Sequence, residues 1–115
     1  MGLGRQRKYR RLLESDIQRA IRTALNADGR VRLIRNSTGF DLEAKVRYGL
    51  GVGGPDLIGV LRNGRAFFVE VKRPGQRLRP EQEAWHRAAR AWNIRGGVAT
   101  SVAEAMALLE EACKT

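Results

Sequence analysis

Two apolar runs separated by Asn63-Gly64 constrain the fold of this chain more than any other feature. The first run is Asp56 to Leu61 (DLIGVL) and the second is Ala66 to Lys72 (AFFVEVK). Both are rich in the aliphatic and aromatic residues that favour strands, and an Asn-Gly step between two such runs is typical of a β-hairpin. The sequence therefore predicts an antiparallel strand pair that the rest of the chain must cover.

The second run carries charged residues inside the most apolar part of the chain. Because side chains alternate along a strand, Phe68, Glu70 and Lys72 share one face. Burying an ionisable pair there costs free energy unless partners satisfy it. Asp56 begins the other strand directly after a Gly-Gly-Pro step, so the hairpin brings two carboxylates and one amine to its open end.

The length of the hairpin loop decides whether the two carboxylates meet. A two-residue turn would point Asp56 away from Glu70. A three-residue loop over residues 62–64 would pair the two acids on one face, with its glycine in the left-handed position of a G1 bulge. We predict the three-residue loop, or a bulge near Gly59 that has the same effect.

A pair of facing carboxylates favours a metal site. The two negative charges repel and raise each other's pKa, and a hard divalent cation removes that repulsion. Oxygen ligands favour Mg²⁺ or Mn²⁺ over zinc. Lys72 lies on the same face as Glu70, where an amine can orient water or stabilise developing charge. The set suits metal-dependent phosphodiester hydrolysis; the alternative is a Glu-Lys pair on the solvated face of an edge strand.

A predicted first helix adds a third acid to this chemistry. Apolar residues recur at helical spacing from Glu14 to Ala27, and Asp28-Gly29 ends the pattern. Glu14 lies over the apolar stripe of that helix, three residues before Ile17. It is either a first-turn acid favoured by the helix dipole or a carboxylate aimed at the site.

The remaining patterns predict an α/β fold. Val31 to Asn36 alternates as a strand, Pro80 to Trp92 forms a helix with proline at its first position, and Gly97 to Thr100 forms a short strand. A capping box at Ser101 starts a last helix. The predicted order is α-β-β-β-α-β-α, a mixed sheet flanked by helices.

Composition narrows the class of protein. The 115 residues fit one domain, which we expect at residues 12–115. A single Cys113 and a single His86 exclude a disulfide framework and a zinc site of the usual ligands, and a reducing cytoplasm is the expected compartment. No apolar stretch approaches the roughly 18 residues of a membrane span, and we expect no secretory signal.

The charge is strongly basic and uneven. Lys and Arg number 22 against 12 Asp and Glu, a net charge of +10, and 18 of the 22 are Arg. Arg suits bidentate phosphate contacts, so this bias favours a nucleic-acid partner, although a GC-rich genome also enriches Arg. Residues 1–95 carry 21 basic and 9 acidic side chains, net +12, whereas residues 96–115 carry 1 and 3, net −2. The last helix is therefore not expected to touch phosphate.

Basic residues also occupy segments outside the predicted helices and strands. Residues 1–11 hold five basic side chains and no acid, which predicts a flexible arm that contacts phosphate nonspecifically or is a solvated tail. Residues 37–55 form a long glycine-rich loop that could fold over a substrate or contain a short strand around residues 43–48. In the loops we predict phosphate contacts, with solvated side chains as the alternative, at Lys45, Arg47, Arg73, Arg77 and Arg79.

The helix from Pro80 carries two tryptophans and the histidine. Trp85 and Trp92 lie seven residues apart on one face, which predicts packing in the core or at a dimer interface rather than stacking on bases. His86 lies close in sequence to Arg87 and Arg90, and we expect it not to be catalytic.

The motifs together resemble the VRR-NUC (virus-type replication-repair nuclease) domain of the PD-(D/E)XK superfamily. Asp56, thirteen further residues, Glu70 and then Lys72 resemble the superfamily motif. The likeness covers about residues 12–110. The narrower resemblance lies in Arg35 to Gly39 (RNSTG), Gly51 to Gly59 (GVGGPDLIG), Phe68 to Gly75 (FVEVKRPG) and Leu78 to Gln82 (LRPEQ).

The resemblance implies a role for each residue that matches the family's metal site. Asp56 and Glu70 match the metal-binding acids, and the backbone carbonyl of Val71 would be a further ligand. Lys72 matches the catalytic lysine. Glu14 matches the acid on the first helix, which would reach the metal directly or through water.

Residues around these acids also match the family pattern. Gln82 matches the glutamine of the helix after the core strands, which would position a ligand or the substrate. We expect Arg35 and Asn36 of the first stretch to bind nucleic acid. Arg79 stands where a capping Ser or Thr is usual, which weakens the start of that helix by about 1 kcal/mol.

The resemblance also implies a fold and an activity. It implies a restriction-endonuclease-like core and a Mg²⁺- or Mn²⁺-dependent endodeoxyribonuclease. We expect selectivity for DNA structure, such as branched DNA and Holliday junctions, and a role in replication, repair or recombination. The enzyme would be a homodimer of the stand-alone phage or prophage type, in the cytoplasm of a bacterial or phage-infected cell. The alternatives are a non-catalytic basic nucleic-acid-binding protein and a sequence-specific, restriction-like nuclease.

Overall fold

Within the part of the chain that the structure describes, three helices pack on a four-stranded mixed sheet, and a separate two-stranded sheet lies in the glycine-rich segment. The computed structural model describes residues 13–114, so the predicted basic arm at residues 1–11 lies outside the described residues. None of the described helices has the length and apolar character needed to cross a membrane. The helices are α1 (Glu14–Asp28), α2 (Pro80–Ala91) and α3 (Val102–Cys113), and the strands are β1 (Val31–Arg35), β2 (Gly39–Asp41), β3 (Val46–Tyr48), β4 (Leu57–Leu61), β5 (Ala66–Val71) and β6 (Arg95–Ala99).

The main sheet has the predicted mixed topology. Its strand order is β1-β4-β5-β6. The strands β1, β4 and β5 pair antiparallel, and β6 lies parallel to β5. A parallel step requires a crossover connection, which α2 supplies. With the second sheet set aside, the element order is the predicted α-β-β-β-α-β-α, and the α/β fold with a mixed sheet flanked by helices is confirmed.

The segment 37–55 contains a small hairpin of its own. β3 lies within the stretch 43–48, where a short strand was one of the two options that the sequence left open. It pairs antiparallel with β2, which the sequence does not predict. Three residues directly after a Ser-Thr step are too few to display the alternation of a strand.

The hydrophobic core lies on one face of the main sheet. Leu57, Phe67 and Val69 are fully buried on this face, against α1 and α3. Those helices contribute apolar side chains such as Leu25 and Leu109 to the same cluster. Glu70 and Lys72 point away from the core, because they alternate with its residues along the chain.

The opposite face is only partly covered. Phe68 contacts the rings of Trp85 and His86 on α2 edge-on, with ring centroids 5.0 and 4.9 Å apart. On β1 and β4 the same face leaves Ile34 and Val60 exposed, by 64% and 52%. Helix α2 therefore shields the β5 side of this face and leaves the β1 side open.

Of the two options for Trp92, packing in the core is wrong, because its side chain is 81% exposed, and packing at a dimer interface stays a prediction. Helix α2 ends at Ala91, and Asn93 has a left-handed φ of 63°. The chain thus leaves the helix axis at the point where the indole would have to turn towards the sheet. The strand that follows contains Gly96, which offers no side chain to pack against.

The β4–β5 hairpin has the predicted three-residue loop. Leu57 pairs with Val69, and this register continues as Asp56 opposite Glu70. The pairing is continuous along β4, so no bulge contributes to it. Gly64 closes the loop with a φ of 87°, the left-handed conformation that glycine adopts at little cost.

Helix α1 also covers the free edge of the main sheet. Edge strands present unpaired main-chain groups, and β1 is an edge strand. Both main-chain groups of Leu33 on β1 are bonded to the Asn26 side chain of α1: Leu33 N–H donates to Oδ1 (2.7 Å), and Nδ2 donates to the Leu33 carbonyl (2.8 Å). One amide therefore joins the helix to the strand.

Replacing Asn26 with Ala should lower the free energy of unfolding by about 1–3 kcal/mol, because two main-chain groups of Leu33 lose their partner. Urea denaturation followed by circular dichroism measures the change. Thr23→Ala, an exposed substitution one turn earlier on α1, is the control and should stay within about 0.5 kcal/mol of wild type. Equal stability of the two variants would contradict the joining role of Asn26.

Candidate active site

Glu70 is a buried acid with an incomplete hydrogen-bond environment. Its side chain is 2% exposed and points to the face that α2 covers. One carboxylate oxygen, Oε2, accepts a bond from Gln82 Nε2 at 3.4 Å, and the other, Oε1, is buried without a partner. A buried polar atom without a partner costs about 1–3 kcal/mol, a cost that a proton shared with Asp56 or a bound cation would remove.

Asp56 is held in place by both neighbouring strands. Its carboxylate oxygen Oδ2 accepts the Val71 N–H at 2.8 Å, and its main-chain carbonyl accepts the Asn36 N–H at 2.8 Å. The side chain lies within hydrogen-bonding reach of a protonated Glu70. The two carboxyl groups therefore meet, as the three-residue loop predicts.

The environment of Glu70 changes its acidity. Burial raises the pKa of Glu70 to about 9, and Asp56 contributes through its hydrogen bond and its negative charge. The charge of Glu14 also raises this pKa, whereas the charge of Lys72 opposes the rise. Without a bound cation, Glu70 therefore holds a proton at neutral pH.

The oxygen atoms around this pair fit a hard divalent cation. A cation would supply the missing partner of Glu70 Oε1 and would cancel the repulsion from Asp56. The Val71 carbonyl adds a neutral oxygen. The N–H and C=O groups of one strand residue point to the same side of the strand, so this carbonyl faces the side on which the Val71 N–H meets Asp56.

Lys72 follows β5 directly and is 7% exposed. Its N–H donates to the Ala99 carbonyl of β6 at 3.1 Å, which extends the strand pairing and keeps the side chain on the face of Glu70. Burial, together with the positive charges of Arg90 and Lys72, lowers the pKa of His86. The histidine is thus a neutral buried ring beside Phe68 at neutral pH.

Gln82 connects the start of α2 to Glu70. Its Oε1 accepts the Arg79 N–H at 2.9 Å, and its Nε2 donates to Glu70. The Arg79 side chain contains no atom that can accept a hydrogen bond. The helix therefore begins with one of the two bonds of a capping box, the one from the N-cap N–H to the glutamine side chain. Because the main chain fixes the carbonyl end of Gln82, its amino group is directed at the acid.

Glu14 lies farther from the other two acids. It is the first residue of α1 and lines a groove together with Asp56. Within residues 13–114, no three acidic, histidine or cysteine side chains come close enough to share one ion. The structure thus brings Asp56 and Glu70 together and leaves Glu14 at the margin.

Two depressions in the surface meet at Asp56. The first, which we call the loop cavity, has a volume of about 510 Å³ and is bordered by residues 51–55, Arg35, Arg79, Tyr48 and Gln82. The second, the helix groove, has a volume of about 220 Å³ and runs along α1. Arg35 and Asp56 belong to both.

The loop that borders the cavity is tied down at two points. The Asn36 side chain donates to the Pro55 carbonyl (2.9 Å) and accepts the Leu50 N–H (3.2 Å). Gly53 lies against the Glu81 carbonyl at the start of α2 with a φ of 83°, so a side chain there would collide with the helix. The wall of the cavity is thus built from backbone held at a fixed distance from the acids.

The predicted phosphate-binding residues divide into two groups. Arg35 and Arg79 line the loop cavity. The structure does not bring the others into that lining: they lie exposed on the β2–β3 hairpin and in the connection after β5, at Lys45, Arg47, Arg73 and Arg77.

Further basic residues near Asp56 were missed by the sequence reasoning. Arg19 and Arg22 of α1 line the helix groove with Asp56. Their spacing of three places them on one side of the helix, with Ser15 in the same row. That row is the available signal in the sequence, although the same spacing is typical of any solvated helix face.

Comparison with known proteins identifies the family. The family model of the VRR-NUC domain matches residues 8–103, most of the chain. The chain belongs to the VRR-NUC family. This confirms the resemblance and the membership of the PD-(D/E)XK superfamily that it implies. The VRR-NUC domain indicates a nuclease that binds DNA, and nuclease domains of this family generally use divalent metals.

A solved structure supports the assignment to the VRR-NUC family. A chain described as a VRR-NUC domain superposes with a TM-score of 0.65 at 26% sequence identity, covering 84% of this chain and 94% of that chain. No curated protein sequence matches. The shared fold therefore extends over nearly the whole of the VRR-NUC domain.

In chelator, the free energy of unfolding should decline as the pH rises. The unfolded chain releases the Glu70 proton near pH 4.5, whereas the folded protein retains it to about pH 9. The stabilising contribution is complete below pH 4.5 and is lost as the pH rises through 9. Glu70→Gln cannot titrate, so its stability should lack this decline.

Urea denaturation at several values between about pH 5 and pH 9 measures both profiles. Glu111→Gln changes an exposed acid on α3 and should keep the decline of wild type. Parallel profiles for wild type and Glu70→Gln would show that the buried acid is not protonated in the folded protein.

Proposed function

We propose that this VRR-NUC protein is an endodeoxyribonuclease that requires Mg²⁺ or Mn²⁺. The observation that carries the proposal is the buried Glu70, which has Asp56 beside it and, when it is ionised, no donor for its Oε1. Lys72 is buried on the same face. Two carboxylates and an amine in this arrangement suit hydrolysis of a phosphodiester bond.

We assign the metal ion to Asp56, Glu70 and the Val71 backbone carbonyl. When bound, such an ion lowers the pKa of a water molecule and neutralises charge on the phosphate under attack. Glu14 would act through a water molecule rather than directly, because within residues 13–114 it does not join the other acids in a cluster of three.

Lys72 and Gln82 position the reacting groups and stabilise charge at the site. Lys72 orients the attacking water and stabilises charge that develops on the phosphate. Gln82 holds Oε2 of Glu70, which leaves Oε1 for the metal. Its amide is itself held by the main chain at Arg79, so the carboxylate meets the site in one orientation.

The basic residues hold the DNA backbone. Arg35 and Arg79 would contact the phosphates next to the cleaved bond, because they line the cavity beside Asp56. Asn36 has one N–H left to reach DNA, since the rest of its amide bonds to the loop. Phosphates farther along would be contacted by Lys45, Arg47, Arg73 and Arg77.

We propose that the enzyme selects DNA by its shape, acting on branched substrates such as Holliday junctions in replication, repair or recombination. Arg35 and Arg79 line the loop cavity, and arginines that contact phosphates position the DNA without reading base sequence. Sequence-dependent cleavage of intact duplex would instead favour the restriction-like alternative.

We also propose a homodimer, located in the cytoplasm of a bacterial or phage-infected cell. A two-fold enzyme is the economical way to cut two strands symmetrically. The exposed side chains of Ile34 and Val60 lie on an apolar sheet face that a second copy could cover. Cys113 is a free thiol, which suits a reducing compartment.

Glu70→Ala and Lys72→Ala should each reduce cleavage below detection, because one removes a metal ligand and the other the charged group on the same face. Both should retain most of the DNA affinity, which the arginines carry. Cleavage of labelled junction, flap, nicked and single-stranded DNA with Mg²⁺ or Mn²⁺ measures activity, and fluorescence anisotropy in chelator measures binding. Glu111→Ala and Lys114→Ala on the acidic C-terminal segment are the matched controls.

The same panel tests the non-catalytic alternative. If wild type binds DNA but cuts none of the substrates with either metal, the protein is a binding module and its acids are structural. Cleavage by wild type that persists in Glu70→Ala would assign the activity to other residues.

Ile34→Lys should convert the dimer to a monomer, because it places a charge on the apolar sheet face. Multi-angle light scattering should show the molar mass fall to half. Leu42→Lys, which changes a still more exposed apolar residue on the loop between β2 and β3, is the control. If wild type is a monomer at all concentrations, the proposed homodimer is wrong.

A further inference from the structure

The loop cavity holds an aromatic ring that the proposed hydrolysis does not use. Tyr48, the last residue of β3, lines the cavity and is 51% exposed. Asp56 and Gln82 line the same cavity. Its volume of about 510 Å³ lies in the range of roughly 300–1,000 Å³ that is typical of small-molecule sites, so it admits one nucleotide beside the acids.

The Tyr48 ring is supported on one side by the small hairpin. Tyr48 pairs with Gly39 across the small hairpin, and a side chain at Gly39 would overlap the tyrosine hydroxyl and ring. The ring therefore lies directly on the glycine backbone and is covered on that side. A ring that is supported on one side and open on the other is the arrangement on which nucleic-acid bases stack.

The charges around the ring suit the phosphates of one strand. Arg35 and Arg79 line the cavity with Tyr48. Within residues 13–114, the one ion pair of the Arg79 side chain is with Glu81, at 3.2 Å between exposed side chains, and such surface pairs contribute little. A phosphate can therefore displace that contact.

We propose that the loop cavity binds one unpaired nucleotide, with its base stacked on Tyr48 and its flanking phosphates at Arg35 and Arg79. The inference rests on the proposed function, since it places this nucleotide next to the bond cut at Asp56. In an intact duplex each base is already stacked, and extruding it costs a few kcal/mol. The enzyme therefore favours strands that carry an unpaired base beside the cleaved bond, such as bulges and flaps, over continuous duplex.

The binding step is tested apart from cleavage. A duplex that carries one bulged 2-aminopurine is titrated with protein in chelator, and a duplex with the same base paired to thymine is the reference. Stacking on a tyrosine quenches 2-aminopurine fluorescence, so wild type should quench the bulged base strongly and the paired base little.

Variants of the ring assign the quenching. Tyr48→Leu should remove it and weaken affinity for the bulged duplex about 5-fold to 150-fold, the usual contribution of one stacked base. Tyr48→Phe keeps the ring and should behave as wild type. Phe40→Leu is the matched control, because Phe40 is equally exposed on the hairpin but points to the other side of it.

A further variant keeps Tyr48 and changes the glycine on which its ring lies. Gly39→Ala displaces the ring through the overlap described above, and it should lower quenching without loss of the hairpin. Circular dichroism of each variant verifies the fold.

The outcomes separate the two proposals. Unchanged quenching and affinity in Tyr48→Leu would overturn the nucleotide site, whatever the cleavage result. Tyrosine-dependent quenching in a protein that cuts nothing would uphold the site and overturn the nuclease. Equal affinity of wild type for bulged and continuous duplex would also overturn the preference for an unpaired base.

Discussion

The register of the β4–β5 hairpin is the constraint on which the rest of the structure depends, because it sets Asp56 opposite Glu70. A shift of one residue would move a whole strand's side chains to the other face of the sheet. Phe67 and Val69 would then leave the core, and Glu70 would leave the site. Core packing and site geometry are thus specified by the same pairing, and the energy of burying the aromatic and aliphatic side chains holds the two acids together.

The acids differ in how firmly the protein holds them. Asp56 accepts a main-chain N–H at 2.8 Å, whereas the one N–H that Glu70 accepts within residues 13–114 comes from Gln82, at 3.4 Å. The hydrogen bonds that Gln82 and Asn36 make to main-chain groups are shorter. The side chains of Gln82 and Asn36 therefore make short hydrogen bonds to the main chain, whereas the Glu70 carboxylate accepts only a long one. Burying the Glu70 carboxylate costs free energy, and a bound cation can offset that cost.

Local patterns predicted the hairpin, the helices of residues 13–114 and the mixed sheet, because each rests on alternation, helical spacing or a turn signal. The three-residue loop was predicted because it pairs Asp56 with Glu70, since the Asn-Gly step also allows a two-residue turn. They also placed Asp56, Glu70 and Lys72 on one face. The contacts of Asn36 with Pro55 and of Gln82 with Glu70 join segments 19 and 12 residues apart and leave no periodic signal. The role of Gln82 came from the family resemblance alone. The core option for Trp92 was wrong because helical spacing does not show that the helix ends before this residue.

The β2–β3 hairpin forms a sheet separate from the one that carries the acids. Asn36 joins the two regions, since its side chain bonds to the loop while its N–H bonds to Asp56. Residues can be added to or exchanged in the hairpin without altering the pairing of β4 with β5. Descendants of this chain could therefore acquire new substrate preferences by drift in one short hairpin while the hydrolytic chemistry stays unchanged. The same separation makes residues 39–48 the natural segment to randomise in a search for altered selectivity.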